Sequence, residues 1–381
     1  MPGGSRLEGA RRVVVKIGSA LLVDPEAGLK AEWLNGLADD VAELRAAGAD
    51  VVLVSSGAIA LGRRMLGVSP GAGEALSLEQ AQAAAAVGQV ELARAYAEAL
   101  DARGGRAGQV LFTLADTQDR RRYLNATATL KTLLALGVTP IINENDTVAT
   151  DEIRYGDNDR LAARAAAMVD ADRLLLLSDV DGLYSADPRS DPKARRIEEV
   201  SALTPELEAM AGGAGGPTAR GGMVTKLQAA KLAMGAGCTM AIARGAPAPP
   251  HDPNRPVRAL RDGAPATWFL AAKTPQAARK AWISGMKPQG RLLVDNGAAA
   301  ALRAGRSLLP AGLRAAEGTF DRGDPVLIET VSGKTVATAL AAYSAEEARA
   351  MIGLQMSEIG AALGYPGRGP LAHRDDMAFG E

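Results

Sequence analysis

The stretch RRVVVKIGSA, residues 11–20, runs three β-branched residues, Val13 to Val15, into a lysine and then breaks at Gly18. An apolar run of that length, bounded by a glycine, reads as a buried strand feeding a turn. Residues 50–62, DVVLVSSGAIALG, repeat the arrangement: strand, turn of small residues, helix start. Between them, residues 32–47 carry a helical pattern closed by Gly48. Further strands are predicted at 109–113, 138–142, 173–177 and 239–243, with helices at 79–100 and 124–136 between them. This alternation predicts an α/β fold, a mostly parallel sheet sandwiched by helices. Ligand sites in such sheets lie at the carboxyl ends of the strands. The polar, glycine-rich segments of this chain fall there.

The pattern changes at 244–263, RGAPAPPHDPNRPVRALRDG, where proline and charge exclude a central strand or helix. TWFL, 267–270, is expected to complete the sheet. Beyond it, short strands separated by glycine turns predict a second, smaller β-rich domain. The expected division is a first domain over 1–272, a linker over 273–282, the β-rich domain over 283–370 and a tail over 371–381.

Composition narrows the function. With 47% hydrophobic and 23% charged residues, the chain has the balance of an ordinary globular protein. A formal net charge of −1 gives no overall field to attract nucleic acid or an anionic membrane. From residue 283 onward, ten Lys and Arg face eleven Asp and Glu, so the β-rich domain lacks the basic surplus expected for binding a phosphate backbone, and RNA binding is not the favoured reading. Cys238 is the single cysteine, which excludes an internal disulfide and fits a reducing compartment. It reads as a core residue rather than a nucleophile. His251 and His373 lie too far apart for a zinc cluster, and no protein ligand for a metal is assigned. The first ten residues lack the apolar core of a signal peptide, and no uninterrupted run of 18 apolar residues occurs, so a cytoplasmic location without a membrane span is expected.

Several segments carry chemistry. Lys16 stands at the end of the first strand, where it either serves a site or reaches out to water. Ser55, Ser56 and Gly57 lie between a strand and a helix; free N–H groups at a helix start attract an anion, and a serine there can equally cap the helix. RGGMVTK, 220–226, places two glycines before a helix and a lysine one turn along from Gly222. Asn143, Glu144, Asn145 and Asp146 follow directly on an apolar strand, and Asp157, Asn158 and Asp159 follow Gly156. These carboxylates and amides at element ends make either a solvated loop, with Asp157 or Asn158 capping the helix that follows, or a site for a substrate amino group with charges that orient lysines or magnesium. Ser178 and Asp179 end the run LLLL, where a nucleotide could lie. SGKT, 332–335, is no Walker A end, because Ile328 occupies the position of the required glycine.

Taken in order, VVVKIGS, SSGAIALG, INENDTVAT, GDND, LLLLSDVDGLYSADPR and GGMVTKLQAA resemble the glutamate 5-kinases of the amino acid kinase family. GRLLVDNGAAAAL, SLLPAGL and HRDDM look like the PUA domain that many bacterial members append. The resemblance implies transfer of a phosphoryl group from ATP, with Mg2+, to the side-chain carboxylate of L-glutamate. It implies that Lys16 and Lys226 stabilise the transferring group and that Asp159 holds both lysines. Ser56, Asp146 and Asn158 would bind glutamate, with Asp146 facing its ammonium. Ser178, Asp179 and the loop Arg220, Gly221, Gly222, Met223, Val224, Thr225 and Lys226 would contact ATP. Proline as feedback inhibitor and a homo-oligomer are implied in the same way. Two positions depart from the pattern. Ala219 and Arg220 replace the usual glycine and threonine, and Ala20 replaces a hydroxyl residue, but neither change removes a charge. The rival readings are an RNA-binding protein, an amino-acid sensor with a dead kinase site, and a sister kinase for another small carboxylate.

Overall fold

The computed structural model describes residues 6–68, 76–149, 157–212, 222–367 and 369–379. The chain divides into one unit of residues 1–118 and 125–275 and another of residues 119–124 and 276–381. An eight-stranded sheet runs through the first. Its strands are β1 (Arg12–Ile17), β2 (Asp50–Val54), β3 (Ala107–Phe112), β4 (Thr139–Glu144), β5 (Arg173–Ser178), β6 (Glu199–Val200), β7 (Thr239–Arg244) and β8 (Ala266–Phe269). They lie in the order β6-β8-β7-β5-β1-β2-β4-β3. From β7 to β3 every neighbouring pair is parallel, and β8 closes antiparallel on β7. The carboxyl ends of β1, β2, β4, β5 and β7 therefore share one edge.

The helices between these strands include α1 (Ala31–Ala46), α2 (Ala58–Leu66), α3 (Leu78–Asp101), α4 (Arg120–Ala135), α5 (Asp157–Met168) and α6 (Met223–Gly235). Side chains of a strand alternate between faces, and β1 shows what this achieves. Val13, Val15 and Ile17 join a buried cluster with Leu37 and Val41 of α1 and Leu92 and Tyr96 of α3. The alternate residue Lys16 turns to the opposite face, where it meets α5. Leu174 to Leu177 of β5 are fully buried in turn, as expected of a parallel strand covered on both sides. Helices α2 and α3 pack backbone to backbone. A Cβ at Gly62 would overlap the Ala84 carbonyl, and one at Gly88 the Ala58 carbonyl. Among the described residues, no helix is long and apolar enough to cross a membrane.

The second unit holds a five-stranded sheet of β9 (Gly290–Val294), β10 (Leu313–Gly318), β11 (Pro325–Thr330), β12 (Thr335–Leu340) and β13 (Met377–Phe379), in the order β10-β9-β11-β12-β13. Leu292, Val294, Leu313, Val326, Ile328 and Met377 fill its core.

Three segments differ from the sequence expectation. Residues 273–282, read as a linker, fall largely within a helix, Pro275–Ser284. The segment QAARKAWIS has no glycine and follows a proline, which suits a first helical turn. Ile283 of that helix is buried with Leu340 and Ala378. Residues 371–381, read as a tail, contain β13, which pairs antiparallel with β12. Within the proline-rich stretch 244–263, Pro256–Arg261 forms a short helix. Pro256 is tolerated at its start because no helical acceptor awaits the missing N–H.

Candidate active site

Asp159 lies in the first turn of α5 and is only 1% exposed. A lone buried carboxylate would be costly. It is instead bracketed by two ammonium groups, Lys16 Nζ at 2.7 Å from Oδ1 and Lys226 Nζ at 3.1 Å from Oδ2. The Thr225 hydroxyl adds a third donor to Oδ2 at 3.1 Å. Burial by itself would push the Asp159 carboxyl upward, but the charges of Lys16 and Lys226 outweigh it and hold the group below the ordinary carboxylate range. Both lysines are 8% exposed. Two cations share one anion, so the cluster keeps a surplus positive charge in a shielded place. Lys16 comes from the end of β1 and Lys226 from the first turn of α6, so strand and helix ends converge on one carboxylate.

An uncharged cluster adjoins this triad. Asn158, one residue before Asp159, donates through Nδ2 to Ser56 Oγ at 2.7 Å, to the Ser55 carbonyl at 3.3 Å and to Asn143 Oδ1 at 3.3 Å. Ser56 and Asn143 stand at the carboxyl ends of β2 and β4. Asn158 Oδ1 is buried and meets no donor among the described residues. Buried polar atoms are normally satisfied, so this acceptor suits a donor supplied by a ligand. Asp146 sits half-buried just past β4.

On the other side of β1, Ser178 ends β5 and donates to Asp179 Oδ1 at 2.8 Å. Helix α6 opens at Gly222 with no side-chain cap. Uncapped N–H groups and the helix dipole favour an anion at that end, beside the surplus charge of the lysine pair. Arg220 and Gly221 lie outside the described residues. Met223, Val224, Thr225 and Lys226 form the first turn of α6.

No group of three or more His, Cys, Asp or Glu side chains suited to a metal occurs among the described residues. Asp159, the buried carboxylate of the site, already serves two lysines.

Several alternatives raised by the sequence fall away. Lys16 does not reach out to water, because it is buried against Asp159. Neither Ser55 nor Ser56 caps α2. Gly57 is its N-cap, at φ +107, a conformation that suits glycine. Cys238 is buried, and the desolvation that comes with burial pushes its thiol well above the ordinary range, as for a core residue. Asn143, absent from the residues singled out by resemblance, accepts from Asn158 at the centre of the polar cluster. Its position directly after an apolar strand was the available signal.

The sequence model of the amino acid kinase family matches residues 11–244, and that of the PUA domain matches 290–363. The chain is 61% identical over 374 residues to a glutamate 5-kinase of Dinoroseobacter shibae, covering 98% of this chain and 99% of the relative. It is 59% identical over 372 residues to a glutamate 5-kinase of Paracoccus denitrificans, covering 98% of each. A glutamate 5-kinase of Cereibacter sphaeroides is 58% identical over 373 residues, again covering 98% of each.

Proposed function

This chain belongs to the amino acid kinase family, within its glutamate 5-kinases, and from that membership we propose that it transfers the γ-phosphoryl group of ATP to the side-chain carboxylate of L-glutamate. A carboxylate oxygen attacks the γ-phosphorus while the bond to the β–γ bridging oxygen breaks, giving γ-glutamyl phosphate and ADP. The observation that carries the reading is the buried Lys16–Asp159–Lys226 cluster with its surplus positive charge. Phosphoryl transfer asks little covalent chemistry of a protein and much charge stabilisation and positioning. Lys16 and Lys226 supply fixed positive charge to the transferring group, and Asp159 keeps both ammonium groups in place.

Glutamate is assigned to Ser56, Asn158 and Asp146, with the Asp146 carboxylate facing its ammonium. ATP is assigned to Ser178, Asp179 and the start of α6, and magnesium accompanies its phosphates. Arg220 is a proposed nucleotide contact. Inhibition by proline, self-association and a cytoplasmic location belong to the same proposal. The domain limits proposed are 1–272 for the kinase and 283–370 for the PUA domain, the latter extended by the helix Pro275–Ser284 and by β13.

Incubation with ATP, magnesium, glutamate and hydroxylamine tests the reaction, since hydroxylamine traps acyl phosphates as hydroxamates. Glutamate-dependent hydroxamate is expected, with much less from aspartate or acetylglutamate. An equal signal from acetylglutamate would move the chain to a sister activity.

A further inference from the structure

We propose that Gln89, on the long helix α3, is a positioning residue that holds the Asn143 amide in the orientation on which the hydrogen-bond polarity of the acceptor-substrate site depends. The proposal rests on the assignment of that site to glutamate made above.

The backbone N–H of Glu144 can only donate, and it points at Asn143 Oδ1 at 2.9 Å. This fixes which end of the Asn143 amide is oxygen. Its nitrogen must then face the other way, and it donates to Gln89 Oε1 at 2.7 Å. Asn143 Oδ1 also receives Asn158 Nδ2, and the Ser55 carbonyl, which can only accept, receives the same nitrogen. The Asn158 amide is thereby fixed as well. Its Oδ1 is left as an acceptor without a donor among the described residues. Ser56 Oγ accepts from Asn158 Nδ2, so the Ser56 proton remains available to donate. The cluster thus presents one acceptor and one donor of settled polarity. A substrate ammonium satisfies the first, and a carboxylate satisfies the second.

Gln89 stands at the start of this relay. If its acceptor were absent, the outward nitrogen of Asn143 would lose its partner, and the pull holding the amide in this orientation would weaken. A flipped Asn143 would set its NH2 against the Glu144 N–H and the Asn158 NH2, breaking the chain at both points.

A second observation shows that α3 is built for this. Gln82, Gln89 and Tyr96 recur every seven residues, so they lie along one stripe of the helix. Each engages a segment that borders the site. Gln82 Nε2 donates to the Ala149 carbonyl at 3.0 Å, beyond Asp146. Tyr96, fully buried, meets Ser55 Oγ at 3.0 Å. Ser55 Oγ also lies 3.1 Å from the Ser56 carbonyl, to which it can donate. Gly88, next to Gln89, lets α3 touch the backbone of α2, the helix that opens just after Ser56. The stripe is therefore held at fixed depth against the turn it supports. Glutamine and tyrosine at heptad spacing in an alanine-rich helix were visible in the sequence, though nothing there showed what they touched.

The test compares two substitutions in the full chain by steady-state kinetics with glutamate and ATP varied separately. Gln89→Leu keeps the approximate size but removes the acceptor. Gln89→Glu keeps an oxygen facing Asn143, and burial favours its neutral carboxyl, whose O–H takes the place of an Nε2 that has no partner among the described residues. Gln89→Leu is expected to raise KM for glutamate about tenfold, the scale of one lost hydrogen bond and the misorientation that follows. KM for ATP should stay within about twofold of wild type. Gln89→Glu should restore KM for glutamate to within about threefold of wild type. If Gln89→Leu does not fold, Gln89→Ala is read by the same criteria. An unchanged KM for glutamate, an equal rise for ATP, or no recovery in Gln89→Glu overturns the proposal. Wild-type protein is the control that separates the two readings. If it makes no hydroxamate from glutamate, the substrate assignment fails, whereas an active wild type with an indifferent Gln89→Leu condemns the positioning role alone.

Discussion

Replacing Asp159 with asparagine tests the electrostatic reasoning most directly. The side chain is 1% exposed and takes Lys16 at 2.7 Å and Lys226 at 3.1 Å, and both lysines are themselves buried. Removing one partner from a buried pair costs about 3–5 kcal/mol, because the remaining charge is stranded without water. Asparagine keeps the shape and one carbonyl for one lysine but turns its NH2 toward the other, so about 3 kcal/mol is the working figure. In a unit of this size that corresponds to a fall in melting temperature of about 6–12 °C. Calorimetry of the full chain at pH 7 measures it. The pH dependence follows from the lowered carboxyl. A group held below its unfolded value stabilises the fold above that value, near pH 4, and loses the contribution as pH falls through the folded one. The gap between wild type and Asp159→Asn should therefore be full at pH 7 and close in acid. Adding Lys16→Met to Asp159→Asn relieves the stranded charge and should recover about 1–2 kcal/mol. The reasoning fails if Asp159→Asn melts within about 1 °C of wild type at pH 7, or if the gap is undiminished in acid.

Lys16→Ala and Lys226→Ala should each lower kcat by roughly a hundredfold, the scale of removing one charge aimed at a developing oxyanion; near-normal turnover removes that lysine from the mechanism. Asp146→Asn should raise KM for glutamate with little change in KM for ATP, and the reverse pattern would place Asp146 on the nucleotide side. Residues 276–381 match the PUA domain over most of their length, yet near-neutral charge predicts weak binding to generic RNA at physiological salt, and tight, salt-sensitive binding in a filter assay of the full chain would contradict this.

The alternation of Val13–Val15, Val51–Val54 and Leu174–Leu177 with helical stretches was enough to read the α/β sheet, because a strand buried on both faces must be apolar throughout. The same reasoning located the site at the strand ends, since polar residues that interrupt such a sheet have nowhere else to lie. Local pattern served less well where packing decided the outcome. Residues 275–284 look like a polar connection, but Ile283 has a core to enter with Leu340 and Ala378, and burial stabilises a helix that its own turns would not sustain. The strand 377–379 likewise exists only because β12 offers an open edge.

Lys16, Asp159 and Lys226 could be named from motifs, yet 67 residues separate Asp159 from Lys226, and no spacing rule says that two lysines share one carboxylate. The parallel sheet decides that, by delivering β1, α5 and α6 to one edge. Hydrogen-bond polarity is more remote still from the sequence. Asparagine and glutamine each carry a donor and an acceptor on a single amide, so their identity leaves open which end faces which neighbour. The Glu144 N–H and the Ser55 carbonyl, brought within reach by the fold, reveal how the Asn143 and Asn158 amides are turned, and Gln89 is the acceptor that supports Asn143 from behind.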